Sequence, residues 1–153
     1  MAIKTIGVIG AGTMGNGIAQ VCAVAGLDVV MVDISADAVQ RGLGVVAGSL
    51  DRLLKKEKIT QADRDAAVAR IRGSTAYADL AGADLVIEAA TENEGLKLRI
   101  LKEIDAIVAP AAVIASNTSS LSITKLAAAV SHPDRFVGMH FFNPVPLMAL
   151  VEL

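Results

Sequence analysis

The residues whose types and spacing point to chemistry are three glycines in VIGAGTMGNGIAQ (Gly10, Gly12, Gly15), a carboxylate at Asp33, a hydroxyl at Ser119, and the pair His140 and Glu152. In a strand-turn-helix the first glycine permits a tight turn and the second lets the backbone approach a pyrophosphate. The third lets the helix pack on the strand, and the helix N-terminus binds the phosphates. Gly10-Ala11-Gly12-Thr13-Met14-Gly15 fits that use, and Gly17 keeps the helix start smooth. The motif follows an apolar run and opens a helix-period segment (Ile18, Val21, Cys22, Ala25), which makes it far more specific than the hexapeptide alone. Asp33, closing the next apolar run, would accept hydrogen bonds from ribose hydroxyls and repel a 2′-phosphate, so the expected cofactor is NAD rather than NADP. The alternative for Asp33 is a helix N-cap shared with Ser35.

An imidazole titrates near neutral pH, and a carboxylate on its second nitrogen fixes the tautomer and stabilises the imidazolium. His140 and Glu152 flank the turn Asn143-Pro144-Val145-Pro146, so a hairpin-like return would set them abreast. Spacing alone leaves a structural histidine beside an unrelated glutamate as the alternative. Ser119, in Asn117-Thr118-Ser119-Ser120 after an apolar run, lies where open α/β sheets bind ligands. The competing role for Ser119 and Ser120 is to cap a helix starting near Leu121.

Positioning these groups falls to apolar runs at Thr5 to Ile9, Asp28 to Val32, Asp84 to Glu88, Val113 to Ala115 and Arg135 to His140, with helix-period segments between them. The alternation predicts α/β architecture: a doubly wound, Rossmann-type, mostly parallel sheet covered on both faces. Two features exceed a minimal repeat. Between Asp33 and Asp84 the sequence predicts a helical arm of two helices, Ala36 to Lys56 and Gln61 to Arg72, with Thr60 as N-cap of the second and Asp63 in its first turn. Ser49, Arg52, Lys55 and Lys56 give the first of these a positive stripe, which on spacing alone also reads as a solvated face. The other feature is the end, where MALVEL predicts a final antiparallel strand that stops without a polar finish. It looks like a cut, so residues 1–153 are expected to be one domain of a longer protein.

Composition narrows the function classes. A chain of 153 residues, 54% hydrophobic, suffices for one well-buried domain. A net charge of -2, with no basic cluster beyond Lys55, Lys56 and Lys58, argues against nucleic acid as a partner. The single Cys22 excludes a disulfide framework and a metal cluster built on cysteines, and reads as a core thiol; no metal is expected. The N-terminal apolar run is broken by glycines before it reaches spanning length, so the reading is a core strand of a cytoplasmic protein with no membrane association. His132, before Pro133 in a polar loop, reads as structural or solvent-exposed.

GVIGAGTMGNGIAQ, DLVIEAATE, ASNTSSLSIT and GMHFFNPVPLMALVEL together run the length of the chain, which through them resembles the N-terminal domain of the 3-hydroxyacyl-CoA dehydrogenases, bacterial 3-hydroxybutyryl-CoA dehydrogenases in particular. The resemblance implies NAD-dependent interconversion of short-chain (S)-3-hydroxyacyl-CoA and 3-ketoacyl-CoA. It makes His140 the general base oriented by Glu152, and Ser119 a donor to the substrate oxygen. It places Glu92 and Lys97 near the cofactor ribose and nicotinamide, with Asn117 and Asn143 as polar neighbours; the alternative for Glu92 and Lys97 is an exposed, loosely paired couple at a helix start. It lays coenzyme A along the arm, with Ser49 and Lys56 as contacts and Arg52 and Lys55 beside them. A helical domain following residue 153 would form a homodimer. Rival readings are an NADPH-preferring biosynthetic reductase of the same family and a non-catalytic dinucleotide-binding module.

Overall fold

Four of the five apolar runs become the inner strands of a parallel sheet, and the fifth supplies one of its edges. The computed structural model describes residues 2–153. Its strands β1 (Thr5–Ile9), β2 (Asp28–Val32), β3 (Ile71–Ser74), β4 (Leu85–Glu88), β5 (Val113–Ser116) and β6 (Phe136–Gly138) are ordered β3-β2-β1-β4-β5-β6. Every pairing among them is parallel. A separate antiparallel ladder joins β7 (His140–Phe141) to β8 (Val151–Glu152).

Helices α1 (Thr13–Val24), α2 (Ala36–Lys55) and α3 (Gln61–Arg70) cover one face, while α4 (Glu94–Ile107), α5 (Ile123–Ala127) and the short turn Tyr77–Leu80 cover the other. The first core packs Ile6 and Val8 against Ile18, Ala19, Val46 and Leu50. The second packs Ile9 and Val86 against Leu80, Ile100, Leu101, Ile104 and Leu126. Half-buried Cys22 packs against the first core, and burial pushes its thiol up to about 11, so it stays protonated at neutral pH.

At about 1.5 Å per residue the 20 residues of α2 span about 30 Å. Ser35 caps it, Asp37 sits in its first turn, and Arg52 and Lys55 in its last turn complement the helix dipole. Its buried side, Val39, Gly42, Val46 and Leu50, holds it on the sheet and on α1. The capping box expected at Thr60 and Asp63 is present, and it holds the Asp63 carboxyl below the usual range through the hydrogen bonds to Thr60. Arg64 pairs with Asp51 at 2.9 Å, and Arg70 donates to the Ala23 carbonyl at 2.8 Å, tying α3 to α2 and to the end of α1.

Three boundaries differ from the sequence reading by more than one residue. The second arm helix ends at Arg70 rather than Arg72, and the chain enters β3 at Ile71, an edge strand with no counterpart among the expected runs. The run Arg135 to His140 divides in two. The Met139 N–H makes the last parallel bond, to Ser116, and the chain then leaves the sheet for the β7–β8 ladder. The helix expected near Leu121 begins at Ile123 with Ser122 as its cap, so neither Ser119 nor Ser120 serves that role. No described helix is long and apolar enough to cross a membrane.

Candidate functional site

Register aligns one row of residues across the carboxyl ends of the strands: Ser74, Val32, Ile9, Glu88, Ser116 and Gly138 are successive partners. The residues just past that row line the crevice at the point where strand order reverses between β1 and β4, the ligand position in open α/β sheets. Past β1 comes the glycine loop, past β2 Asp33, past β4 Ala89 to Glu92, past β5 Asn117 to Ser120, and past β6 His140. A cavity of about 300 Å³ at the opposite edge, lined by Asp105, Pro110, Ser131, His132 and Arg135, contains none of the expected site residues. His132 is exposed there, as its sequence context implied.

The glycine loop has the form that a bound pyrophosphate requires. Gly10 has φ +106°, open only to glycine without strain. A Cβ at Gly15 would lie 1.8 Å from the Gly10 carbonyl oxygen, whereas one at Gly12 would meet nothing within 4 Å and faces open space. Helix α1 also differs from the three other long helices. Ser35, Thr60 and Asn93 cap α2, α3 and α4 through their side chains, and each of those helices has an acidic residue in its first turn. α1 begins at Gly12 with neither. Its free N–H groups and unopposed dipole suit an anion.

Asp33 stands beside this loop. One carboxylate oxygen accepts the Ala11 N–H at 2.8 Å and the other the Ile34 N–H at 2.6 Å. Each oxygen keeps acceptor capacity for a ribose hydroxyl. The shared N-cap does not form: Ser35 alone accepts the Ala38 N–H.

A cavity of about 190 Å³ is lined by Met14, Ala89, Ala90, Thr91, Glu92 and Asn117, bringing together three of the expected cofactor contacts. Lys97 is not among them. It is 1% exposed, its Nζ paired with Glu88 and 3.4 Å from the Ser116 hydroxyl. Ser116 donates to Glu88 at 2.9 Å, and the other Glu88 oxygen accepts the Ala90 N–H at 2.9 Å. Glu92 pairs instead with hydroxyls, accepting from Thr118 at 2.8 Å and Ser120 at 2.9 Å. The exposed Glu92 and Lys97 couple is therefore absent. Sequence reasoning missed Glu88, Ser116 and Thr118; the available signal was a polar residue closing each of two otherwise apolar strands.

A second groove, of about 280 Å³, runs between α2 and the closing turn, with Ser49, Arg52 and Lys56 on one side, Asn143 to Leu147 on the other, and Thr13, Asn16, Gly17 and Gln20 as floor. Lys55 lies off this face. Thr13 and Asn143 belong to this groove rather than to the cofactor cavity. Gly17 admits the turn, since a Cβ there would lie 2.9 Å from Val145.

His140 and Glu152 are direct partners in the β7–β8 ladder, so their side chains leave the same face of it. His140 is half-buried, with its ring 4.5 Å from that of Phe142, and Glu152 is exposed. Asn117 accepts the Phe141 N–H at 2.8 Å, tying the strand that bears His140 to the cofactor cavity. Ser119 is exposed on the adjoining loop. No group of three or more His, Cys, Asp or Glu side chains among the described residues could hold a metal ion.

Comparison with known proteins identifies the family and the fold. Residues 5–153 match the family model described as 3-hydroxyacyl-CoA dehydrogenase, NAD binding domain. The chain is 52% identical to a 3-hydroxybutyryl-CoA dehydrogenase of Bradyrhizobium diazoefficiens, over 99% of this chain and 52% of that protein. It is 44% identical to the fatty acid oxidation complex subunit alpha of Psychrobacter cryohalolentis, over 99% of this chain and 21% of that one. Among solved structures, the (S)-3-hydroxybutyryl-CoA dehydrogenase of Ralstonia eutropha superposes with a TM-score of 0.96 at 69% identity, covering 98% of this chain and 53% of that chain. The chain thus spans about half the length of the 3-hydroxybutyryl-CoA dehydrogenases it matches.

Proposed function

The chain belongs to the 3-hydroxyacyl-CoA dehydrogenase family, as its NAD-binding domain, and from that membership we propose that it serves an enzyme interconverting short-chain (S)-3-hydroxyacyl-CoA and 3-ketoacyl-CoA. The observation that carries this reading is the placement of His140. Its strand is tied through Asn117 to the cofactor cavity and runs on to Asn143 in the arm groove, with Glu152 opposite it. A proton acceptor on that strand would serve a dinucleotide in the one cavity and a long polar thioester in the other.

In the oxidative direction His140 takes the proton of the substrate C3 hydroxyl, and Glu152 on its far side fixes the ring tautomer and balances the imidazolium. The Ser119 hydroxyl donates to the substrate oxygen as it becomes a carbonyl. The glycine loop, the start of α1 and Asp33 would hold NAD, which would supply the acceptor for the hydride leaving C3. Ser49, Arg52 and Lys56 receive the nucleotide end of coenzyme A. Basic side chains on a solvent-facing helix give affinity rather than precise placement. The remaining length found in relatives would complete the substrate cleft and a homodimer, and the unpaired Cys22 suits a cytoplasmic setting.

The test is NADH and NADPH binding beside reduction of acetoacetyl-CoA by the full-length protein that carries this domain. NADH binding with turnover supports the proposal; equal or better NADPH binding would replace it with the biosynthetic reductase. NADH binding without turnover of any short 3-ketoacyl-CoA would leave the non-catalytic module.

Asp33→Ala should weaken NADH about tenfold or more, the scale of a charge-assisted hydrogen bond, and unchanged calorimetric affinity would remove Asp33 from the ribose site. Lys56→Glu should raise the KM for acyl-CoA and leave NADH affinity alone. Equal effects on both ligands would mean a general loss of structure instead.

A further inference from the structure

Ser119 has to present its hydroxyl in a fixed direction, yet it is exposed, and no described residue hydrogen-bonds its side chain. Its two neighbours are held firmly. Thr118 and Ser120 both donate their hydroxyls to the same oxygen, Oε2 of Glu92, at 2.8 and 2.9 Å. Thr118 is buried, and its hydroxyl also accepts the N–H groups of Ser120 and Leu121 at 3.3 and 3.1 Å. One carboxylate from the loop after β4 therefore clasps the loop after β5 on both sides of Ser119.

We propose that Glu92 is a positioning residue for Ser119, and that through it the cofactor cavity and the substrate-facing serine are mechanically joined; the proposal rests on the functional reading above. With Thr118 and Ser120 pinned, the backbone of Ser119 is fixed and one side-chain rotation remains to direct its hydroxyl. Glu92 also lines the cavity beside Met14 and Asn117, and no hydrogen bond occupies its Oε1 among the described residues. The carboxylate can thus face a cofactor hydroxyl with one oxygen while holding the serine loop with the other. Both loops lie at the open crevice, so the clasp joins two connections past the strand ends rather than two strands of the core.

The test uses the full-length enzyme with Glu92→Ala, Glu92→Gln, Ser119→Ala and the Glu92→Ala/Ser119→Ala double variant. Glu92→Ala should lower kcat about tenfold to a hundredfold, the cost of a slightly misplaced donor. Glu92→Gln keeps a carbonyl acceptor for both hydroxyls and should restore most of the rate. In the Ser119→Ala background Glu92→Ala should cost less than about twofold, because the serine it positions is gone. Ser120→Ala, which cuts one arm of the clasp, should fall between wild type and Glu92→Ala. Amide hydrogen exchange gives an activity-independent readout: Ser120 and Leu121 N–H should exchange about tenfold faster in Glu92→Ala. Additive losses with a tenfold fall in NADH affinity would overturn the proposal and make Glu92 a cofactor ligand only. If wild type lacks turnover the functional reading fails, and unchanged exchange at Ser120 and Leu121 would then overturn the clasp as well.

Discussion

Replacing His140 with alanine is expected to cut turnover of the full-length enzyme at least about a hundredfold while NADH binding is retained, the usual scale for loss of a general acid-base. The separation of the two effects follows from where the groups sit. The glycine loop, Asp33 and the Met14 cavity lie past β1, β2, β4 and β5, whereas His140 lies past β6 on the short β7–β8 ladder. Its removal takes away the proton acceptor and disturbs no hydrogen bond in the glycine loop. Glu152→Gln should act in the same direction with a smaller effect, since an amide can still orient the ring but cannot balance the imidazolium. Steady-state assays of acetoacetyl-CoA reduction beside NADH fluorescence decide this. Near-normal turnover at either position would remove that residue from the mechanism.

The largest effect on stability is expected at Lys97. Lys97→Met leaves Glu88 charged, buried and without its counter-ion, a change that typically costs about 3–5 kcal/mol. Adding Glu88→Gln removes the second charge, keeps a carbonyl acceptor for the Ala90 N–H and turns an amide N–H toward the Ser116 hydroxyl, which can accept it, so the double variant should recover most of the loss. Urea unfolding of the three proteins measures it. A loss below about 1 kcal/mol in Lys97→Met, or no recovery in the double variant, would show that the pair does not hold the ends of β4 and β5 together.

The parts that were legible in the sequence are those dictated by local geometry. Gly15 answers a constraint from Gly10 five positions away and Gly10 one from its own positive φ, and a turn midway between His140 and Glu152 is enough to bring that pair into register. The Glu88, Lys97 and Ser116 cluster was not legible, because it depends on the pairing of β4 with β5 and on how deeply α4 settles against them. The alternative that left Lys97 exposed followed its charge, and tertiary burial overrode it. The four residues of β3, Ile-Arg-Gly-Ser, carry too little apolar signal to mark a strand. They form an edge whose pairing with β2 is set by the sheet rather than by their own propensity. Ser122 rather than Ser119 or Ser120 caps α5, and Ser120 is instead engaged by Glu92 and Thr118 in the bend before the helix.

The uncapped start of α1 bears on more than binding. Every other long helix completes its first turn with its own side chains, whereas α1 leaves that turn to be completed by a ligand. Dinucleotide concentration then enters the folding equilibrium of the domain directly. At about a hundred times its dissociation constant a bound ligand adds about 2.7 kcal/mol to stability. The melting temperature of this domain is therefore expected to rise with dinucleotide concentration.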